Sequence, residues 1–108
     1  MARKGYDSEY RIKKEMEDIW GKGNCIKVAI GGANDYLIAS CGELIKTIEV
    51  KETKSRYYYP KPREINQFKR IIEFAKQHKI DAELIVIFKR GKGKPVIKHK
   101  FFLYENGR

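Results

Sequence analysis

The chain has few of the residues that disulfides and zinc sites require. It contains two cysteines, Cys25 and Cys41, with no CxxC pair, and two histidines, His78 and His99, far apart in the sequence. Two such cysteines predict free thiols in a reducing compartment rather than a disulfide framework. Isolated histidines without a partner ligand nearby argue against a zinc site.

Long apolar runs are also missing. No stretch approaches the ~20 apolar residues that span a bilayer, and the N-terminus, Met1 to Gly5, lacks the apolar core of a secretion signal. We therefore expect a cytoplasmic protein with no membrane partner. With 108 residues, 42% of them hydrophobic, the chain is expected to form one domain spanning residues 1–108.

Acidic residues are too few to balance the basic ones. The 24 Lys and Arg against 14 Asp and Glu give a net charge of +10, and the excess is concentrated in residues 3–14, 51–63 and 89–100. A charged run is usually only a solvated face. Three of them in one small protein favour nucleic acid as a partner, because contacts to phosphates release counterions. No basic segment has the apolar stripe of an interfacial membrane helix.

Hydrophobic periodicity predicts the element order α-β-β-β-α-β-β. Helices are expected over residues 6–20 and 62–77, and strands over 25–30, 35–39, 44–51, 83–88 and 96–104. The apolar helix stripes are Ile12, Met16 and Ile19 in the first helix and Ile65, Phe68, Ile72 and Ala75 in the second. A meander followed by a helical crossover predicts an α/β fold, with a central mixed sheet flanked by helices and the strand at 83–88 parallel to an earlier one.

Two carboxylates and a lysine are expected to meet on this sheet. Asp35 and Glu49 are equidistant from Gly42, so a hairpin about Gly42 places them opposite each other. Glu49 and Lys51 share one face of their strand, because side chains alternate. Mg²⁺ prefers oxygen ligands, which Asp35, Glu49 and the backbone carbonyl of Val50 would supply. Lys51 would orient an attacking water or stabilise charge on a phosphate.

Glu9 is a further acidic candidate. It lies three residues before Ile12, and therefore on the apolar stripe of the first helix, at its start. A carboxylate there fits a functional role. It fits equally well the capping chemistry of Asp7-Ser8-Glu9 at the positive end of the helix dipole. The sequence leaves both interpretations open.

An isolated Glu-x-Lys pattern is a weak signal in a chain with 35% charged residues, but its surroundings are more specific. An Asp at a strand start after a Gly-rich loop, with Glu-x-Lys at the end of the next strand, resembles the PD-(D/E)XK, or restriction-endonuclease-like, superfamily. The motif order is most similar to the archaeal-type Holliday junction resolvases. Arg3-Lys4-Gly5 with Glu9 resembles their opening motif, residues 48–54 their catalytic strand, and Gln67 with residues 71–75 their second helix.

The resemblance implies a restriction-endonuclease-like fold and a Mg²⁺-dependent homodimer, with Mn²⁺ as a substitute ion, that cuts four-way DNA junctions in paired strands. An archaeal cell, virus or plasmid would be its source. Glu9, Asp35, Glu49 and Lys51 take the catalytic positions, with Gln67 as active-site support. The three acids and the Val50 carbonyl would hold the metal. Together with the basic runs, the resemblance assigns DNA contacts to Arg3, Lys4, Arg11, Lys27, Lys54, Arg56, Lys61 and Arg63. Asn34 stands where the superfamily has proline.

Other functions use the same residues. A nicking, restriction-type or repair nuclease of the superfamily, acting on duplex, flap or fork DNA, would share the metal chemistry. A non-catalytic nucleic-acid binder is a third possibility, although it has no use for clustered like charges. Residues 57–59, all tyrosine, would either stack at the junction centre or pack at the dimer seam. That seam is expected around Ile85, Ile87 and residues 101–103.

Overall fold

The computed structural model describes residues 6–30, 33–40 and 43–107, with side chains from residue 10 onward except at 28–30, 33–35 and 40. Its elements are α1 (Tyr6–Trp20), β1 (Cys25–Ile30), β2 (Ala33–Ser40), β3 (Glu43–Thr53), α2 (Pro62–His78), β4 (Asp81–Phe88) and β5 (Ile97–Tyr104). The predicted order is confirmed, and each predicted end lies within two residues of the observed one. Arg3, Lys4 and Cys41 lie outside the described residues.

The five strands form one sheet in the order β1-β2-β3-β4-β5. Neighbours are antiparallel except β3 and β4, which are parallel and joined by α2. Parallel neighbours cannot be joined by a tight turn, so a crossover helix is required here. The predicted α/β fold with a mixed sheet is therefore confirmed, as is the parallel strand that follows the second helix.

The two helices cover opposite faces of the sheet. Under α1, Ile12 and Met16 pack in one apolar cluster with Ile38, Ile48 and other residues of β2, β3 and β4. The second cluster lies under α2 and contains Phe68, Ile71, Ala75, Leu84 and Val86, among others. Because β4 is central and covered on both sides, its residues 82–87 are all buried.

The predicted helix stripes are partly wrong. Ile19 is 67% exposed, and Trp20 packs against the α1 cluster instead. In α2, Ile65 is 43% exposed, Ile72 is half-buried and Ile71 is completely buried. Ile71 and Ile72 flank the line through Phe68 and Ala75 on the helix surface, so periodicity admits both. In the structure, Ile71 is the one that packs in the cluster under α2.

Strand β5 forms one edge of the sheet and carries exposed apolar side chains. Phe101 and Phe102 are both largely exposed, whereas Ile85 and Ile87 belong to the core under α1. The expectation that Ile85 and Ile87 face a dimer seam is therefore wrong. Both side chains are buried, because α1 covers this face of the sheet. Of the predicted seam, Phe101 and Phe102 remain accessible.

Candidate active site

Strand pairing brings Asp35 and Glu49 close along the backbone. Tyr36 lies opposite Ile48, so Asp35 and Glu49 are the next residues of their strands. The described pairing between β2 and β3 ends at Tyr36 and Ile48. From there, Asp35 is still paired with β1, and Glu49 is still paired with β4. Asp35 and Glu49 thus lie directly beyond the last pair that the structure describes between β2 and β3.

The hairpin is not symmetric about Gly42. Ser40 pairs with Glu43, so the connection has two residues. Ile38 then pairs with Lys46 and Ala39 with Leu44, which leaves one extra residue, a β-bulge, in β3. The bulge compensates for the off-centre turn. The prediction from equal spacing about Gly42, that Asp35 lies opposite Glu49, is consistent with the observed register. The register arises from the off-centre turn and the bulge together, not from a symmetric hairpin.

Lys51 is the centre of the polar contacts on the α2 side of the sheet. Its Nζ lies 4.0 Å from Glu49 Oε1 and 3.7 Å from Glu64 Oε2. The same ammonium donates a hydrogen bond of 3.2 Å to Gln67 Oε1. Strand alternation supplies Glu49 and Lys51 from β3, and one turn of α2 supplies Glu64 and Gln67. The structure thus brings Glu49, Lys51 and Gln67 together.

Glu49 is the most costly of these groups to bury. Its side chain is 2% exposed, on the same face as the apolar cluster under α2. Removing a carboxylate from water costs several kcal/mol. The 4.0 Å contact to Lys51 is too long to be a hydrogen bond. A buried carboxylate beside a lysine that borders a cleft is a candidate functional group.

Glu64 is a site residue that sequence reasoning missed. Its Oε1 accepts a hydrogen bond of 3.0 Å from the backbone N–H of Lys61, which caps the start of α2 just before Pro62. Its Oε2 faces Lys51. The available signal was its spacing: Glu64 lies three residues before Gln67, on the same side of the helix. One carboxylate therefore fixes both the helix start and the Lys51 ammonium.

The three consecutive tyrosines divide into two kinds. Tyr57 and Tyr59 are exposed, whereas Tyr58 packs against the apolar cluster under α2. Burial raises the pKa of the Tyr58 phenol, and the negative charges of Glu64 and Glu49 raise it further. Tyr58 is therefore part of the wall behind Lys51 and Glu64, while the exposed rings of Tyr57 and Tyr59 lie 6.1 Å from each other.

The raised pKa of Tyr58 predicts a loss of stability at high pH. The folded protein keeps the phenol proton at pH values where the unfolded chain, with a pKa near 10.0, loses it. The free energy of unfolding should therefore be unaffected below that pH and fall above it. Urea unfolding between about pH 9 and 11 measures the slope. Tyr58→Phe should flatten it, and the exposed Tyr57→Phe should not; equal slopes in wild type and Tyr58→Phe would contradict the prediction.

A cleft of about 650 Å³ opens beside Lys51, between the end of β3, the following loop and the start of α2. Its cationic lining residues are Lys51, Lys54, Lys61, Arg63 and Lys89. Glu52 also lines it and pairs with Lys89 at 3.1 Å. Three of the predicted DNA contacts, Lys54, Lys61 and Arg63, therefore border the same cleft as the candidate catalytic lysine.

Other predicted contacts lie elsewhere. Arg11 is exposed on α1 and Lys27 is exposed on β1. Arg56 lines a separate cavity. Glu9 belongs to the beginning of α1, the helix that covers the face opposite to Glu49 and Lys51. The side chains of Glu9 and Asp35 are outside those described.

The described donors fit a hard cation only in part. Glu49 and Glu64 supply carboxylate oxygens near Lys51, and Mg²⁺ prefers such ligands. Among the side chains that the structure describes, no group of three His, Cys, Asp or Glu could hold a metal ion. A complete magnesium site at this end of the described β2–β3 pairing would need Asp35, which precedes Tyr36, the residue opposite Ile48.

Comparison with known proteins gives no further identification. No family model matches this chain. No curated protein and no solved structure matches it either. Within the residues described, neither helix is long and apolar enough to cross a membrane.

Proposed function

We propose that the protein is a Mg²⁺-dependent endodeoxyribonuclease of restriction-endonuclease-like fold that resolves four-way DNA junctions as a homodimer. One observation carries the proposal above all: the Lys51 ammonium lies beside the buried Glu49 carboxylate and borders a cleft lined with cations. Asp35 follows the last β2–β3 pair on the neighbouring strand, where a second carboxylate is required. The resemblance in motif order supplies the superfamily and the junction substrate.

The chemistry would be shared between the ion and the side chains. Asp35, Glu49 and the Val50 carbonyl would hold Mg²⁺. The ion would lower the pKa of a bound water and neutralise charge on the phosphate. Lys51 would face the same phosphate and stabilise the charge that develops on it. Gln67 and Glu64 position Lys51 from α2. Glu9, to which the resemblance assigns a further carboxylate, belongs to the helix on the opposite face of the sheet, so we do not include it among the groups that act with Lys51.

The charge distribution supports a phosphate-rich substrate. Lys54, Lys61 and Arg63 border the cleft and would grip the backbone on either side of the cut without reading bases. A homodimer would present two such sites related by a two-fold axis, which matches the symmetry of a four-way junction. Paired cuts follow from this arrangement, because each active site faces one of two equivalent strands.

A substrate panel tests the proposal. A labelled four-way junction, the matched duplex, a Y-fork and a single strand would be incubated with the protein in Mg²⁺, in Mn²⁺ and in EDTA. We expect paired cuts near the crossover of the junction in either metal, none in EDTA, and little cutting of the other three substrates.

The other outcomes separate the alternatives. Equal cutting of duplex or fork would refute the junction assignment and favour a nicking, restriction-type or repair nuclease that uses the same residues. Tight binding without cutting in any metal would refute the enzymatic proposal and leave a nucleic-acid binder. A monomer at micromolar concentration that cuts each strand independently would refute the paired mechanism.

A further inference from the structure

A second cavity, of about 390 Å³, adjoins the active-site cleft through Lys54 and Ser55, which line both. Three chain segments converge on it: the loop after β3, the end of β4 with its connection to β5, and the outer strand β5. Its lining residues are Lys54, Ser55, Arg56, Phe88, Arg90, Ile97 and His99. None of these lining residues is acidic, in contrast to the active-site cleft.

The cations of this cavity have no counter-charge within the described part of the chain. No ion pair between described residues involves Lys54, Arg56 or Arg90. The adjacent Lys89, by contrast, is paired with Glu52. Cations brought together from separate segments repel one another unless an anion lies between them. Two arginines also present planar sets of donors that match phosphate oxygens.

The Phe88 and His99 rings form the other wall, and Phe101 continues this row of rings outside the residues that line the cavity. The Phe88 and His99 rings lie 5.5 Å apart and nearly perpendicular, and the His99 and Phe101 rings lie 6.3 Å apart and inclined by 29°. In the β4–β5 register, His99 and Phe101 lie opposite Val86 and Leu84, so the row is on the α2 side of the sheet. His99 and Phe101 are exposed at the sheet edge. Exposed rings beside a cationic groove are the usual platform for unstacked bases.

We propose that this cavity binds an unpaired nucleotide of the DNA strand that enters the active-site cleft. Its phosphate would lie among Lys54, Arg56 and Arg90, and its base would stack on His99 at the cavity wall and on Phe101, which lies next to His99 outside the lining. Paired bases have both faces covered by their neighbours, so a stacking platform selects a nucleotide outside the duplex. Lys54 lies on the path from this phosphate to the one at Lys51. The inference depends on the proposed function only in taking the bound nucleotide to belong to the DNA strand that is cut.

Binding without cutting tests the inference. Affinity for a labelled eight-nucleotide oligothymidylate, and for a matched oligonucleotide whose bases are removed, would be measured by fluorescence anisotropy in EDTA. Arg56→Ala/Arg90→Ala should weaken thymidylate binding at least about tenfold, because two phosphate contacts are lost. His99→Ala/Phe101→Ala should weaken it by about tenfold as well and leave binding of the abasic oligonucleotide unchanged.

The matched control is Lys92→Ala/Lys94→Ala, which removes two exposed charges from the same β4–β5 connection outside the cavity. It should weaken binding less than threefold, and an effect equal to that of the arginine variant would overturn the inference, since charge alone would then explain binding. Equal wild-type affinities for the thymidylate and abasic oligonucleotides would overturn it too. The inference would also be overturned if inorganic phosphate displaced the labelled thymidylate as effectively as thymidine monophosphate does.

Thermal melting checks that each variant is folded. These binding measurements do not depend on cleavage. A protein that shows the expected affinities but cuts no substrate would therefore refute only the nuclease proposal.

Discussion

Glu49→Gln is expected to lower junction cleavage by about 1,000-fold, the loss typical of removing one preorganised electrostatic group from a site of this kind. Glutamine keeps the size of the side chain but not the negative charge that would bind Mg²⁺. Because the lost charge is buried, the free energy of unfolding should stay the same or rise. Single-turnover cleavage at saturating protein, together with urea unfolding, measures the two effects separately.

The control for this change is Glu52→Gln. Glu52 lies on the same strand, lines the same cleft and has its carboxylate 3.1 Å from the Lys89 ammonium. Its loss removes one negative charge near the substrate and leaves the Glu49 and Glu64 carboxylates beside Lys51, so cleavage should change by less than about threefold. Cleavage by Glu49→Gln within tenfold of wild type would contradict the assignment of Glu49 as a metal ligand. Equal losses in the two variants would also contradict it.

Lys46→Met is expected to destabilise the protein by about 3 kcal/mol. Glu83 on β4 is buried, with its Oε2 3.1 Å from Lys46 Nζ and 3.9 Å from Lys100 Nζ. Methionine preserves the packing of the lysine stem but leaves the carboxylate in the core without its nearest cation. Lys100 is half-exposed and more distant, so it compensates only in part. Urea unfolding at neutral pH measures the loss.

The double variant Lys46→Met/Glu83→Met makes this prediction specific. It removes both charges and should recover most of the stability lost in the single variant, because the cost comes from the uncompensated carboxylate. Lys98→Met is the control, since Lys98 pairs with Glu15 at the surface. Its effect should not exceed about 1 kcal/mol. A double variant as unstable as Lys46→Met would show that packing, not charge, explains the loss.

Sequence patterns predict the elements of this fold well, because the apolar residues follow the helical period of 3.6 in α1 and α2 and form short strand-like runs elsewhere. They are less informative where two periodic positions compete, as at Ile71 and Ile72 of α2. The placement of Glu49 with Lys51 follows from strand alternation, and the resemblance adds Gln67. The spacing of Glu64 from Gln67 places both on one side of α2, but the contact of Glu64 with Lys51 depends on how α2 packs against β3. The Lys46–Glu83 pair likewise depends on the parallel register between distant segments, which no local pattern encodes.

The single parallel pairing has a consequence for folding kinetics. β1, β2 and β3 are joined by short connections, as are β4 and β5, so each group can form from contacts local in sequence. Only the β3–β4 pairing must close a loop that contains all of α2, and loop closure of this kind slows folding. The same closure brings α2, with Glu64 and Gln67, onto Lys51. We therefore expect the Lys51 contacts to form together with the β3–β4 pairing, later than the hairpins on either side of it.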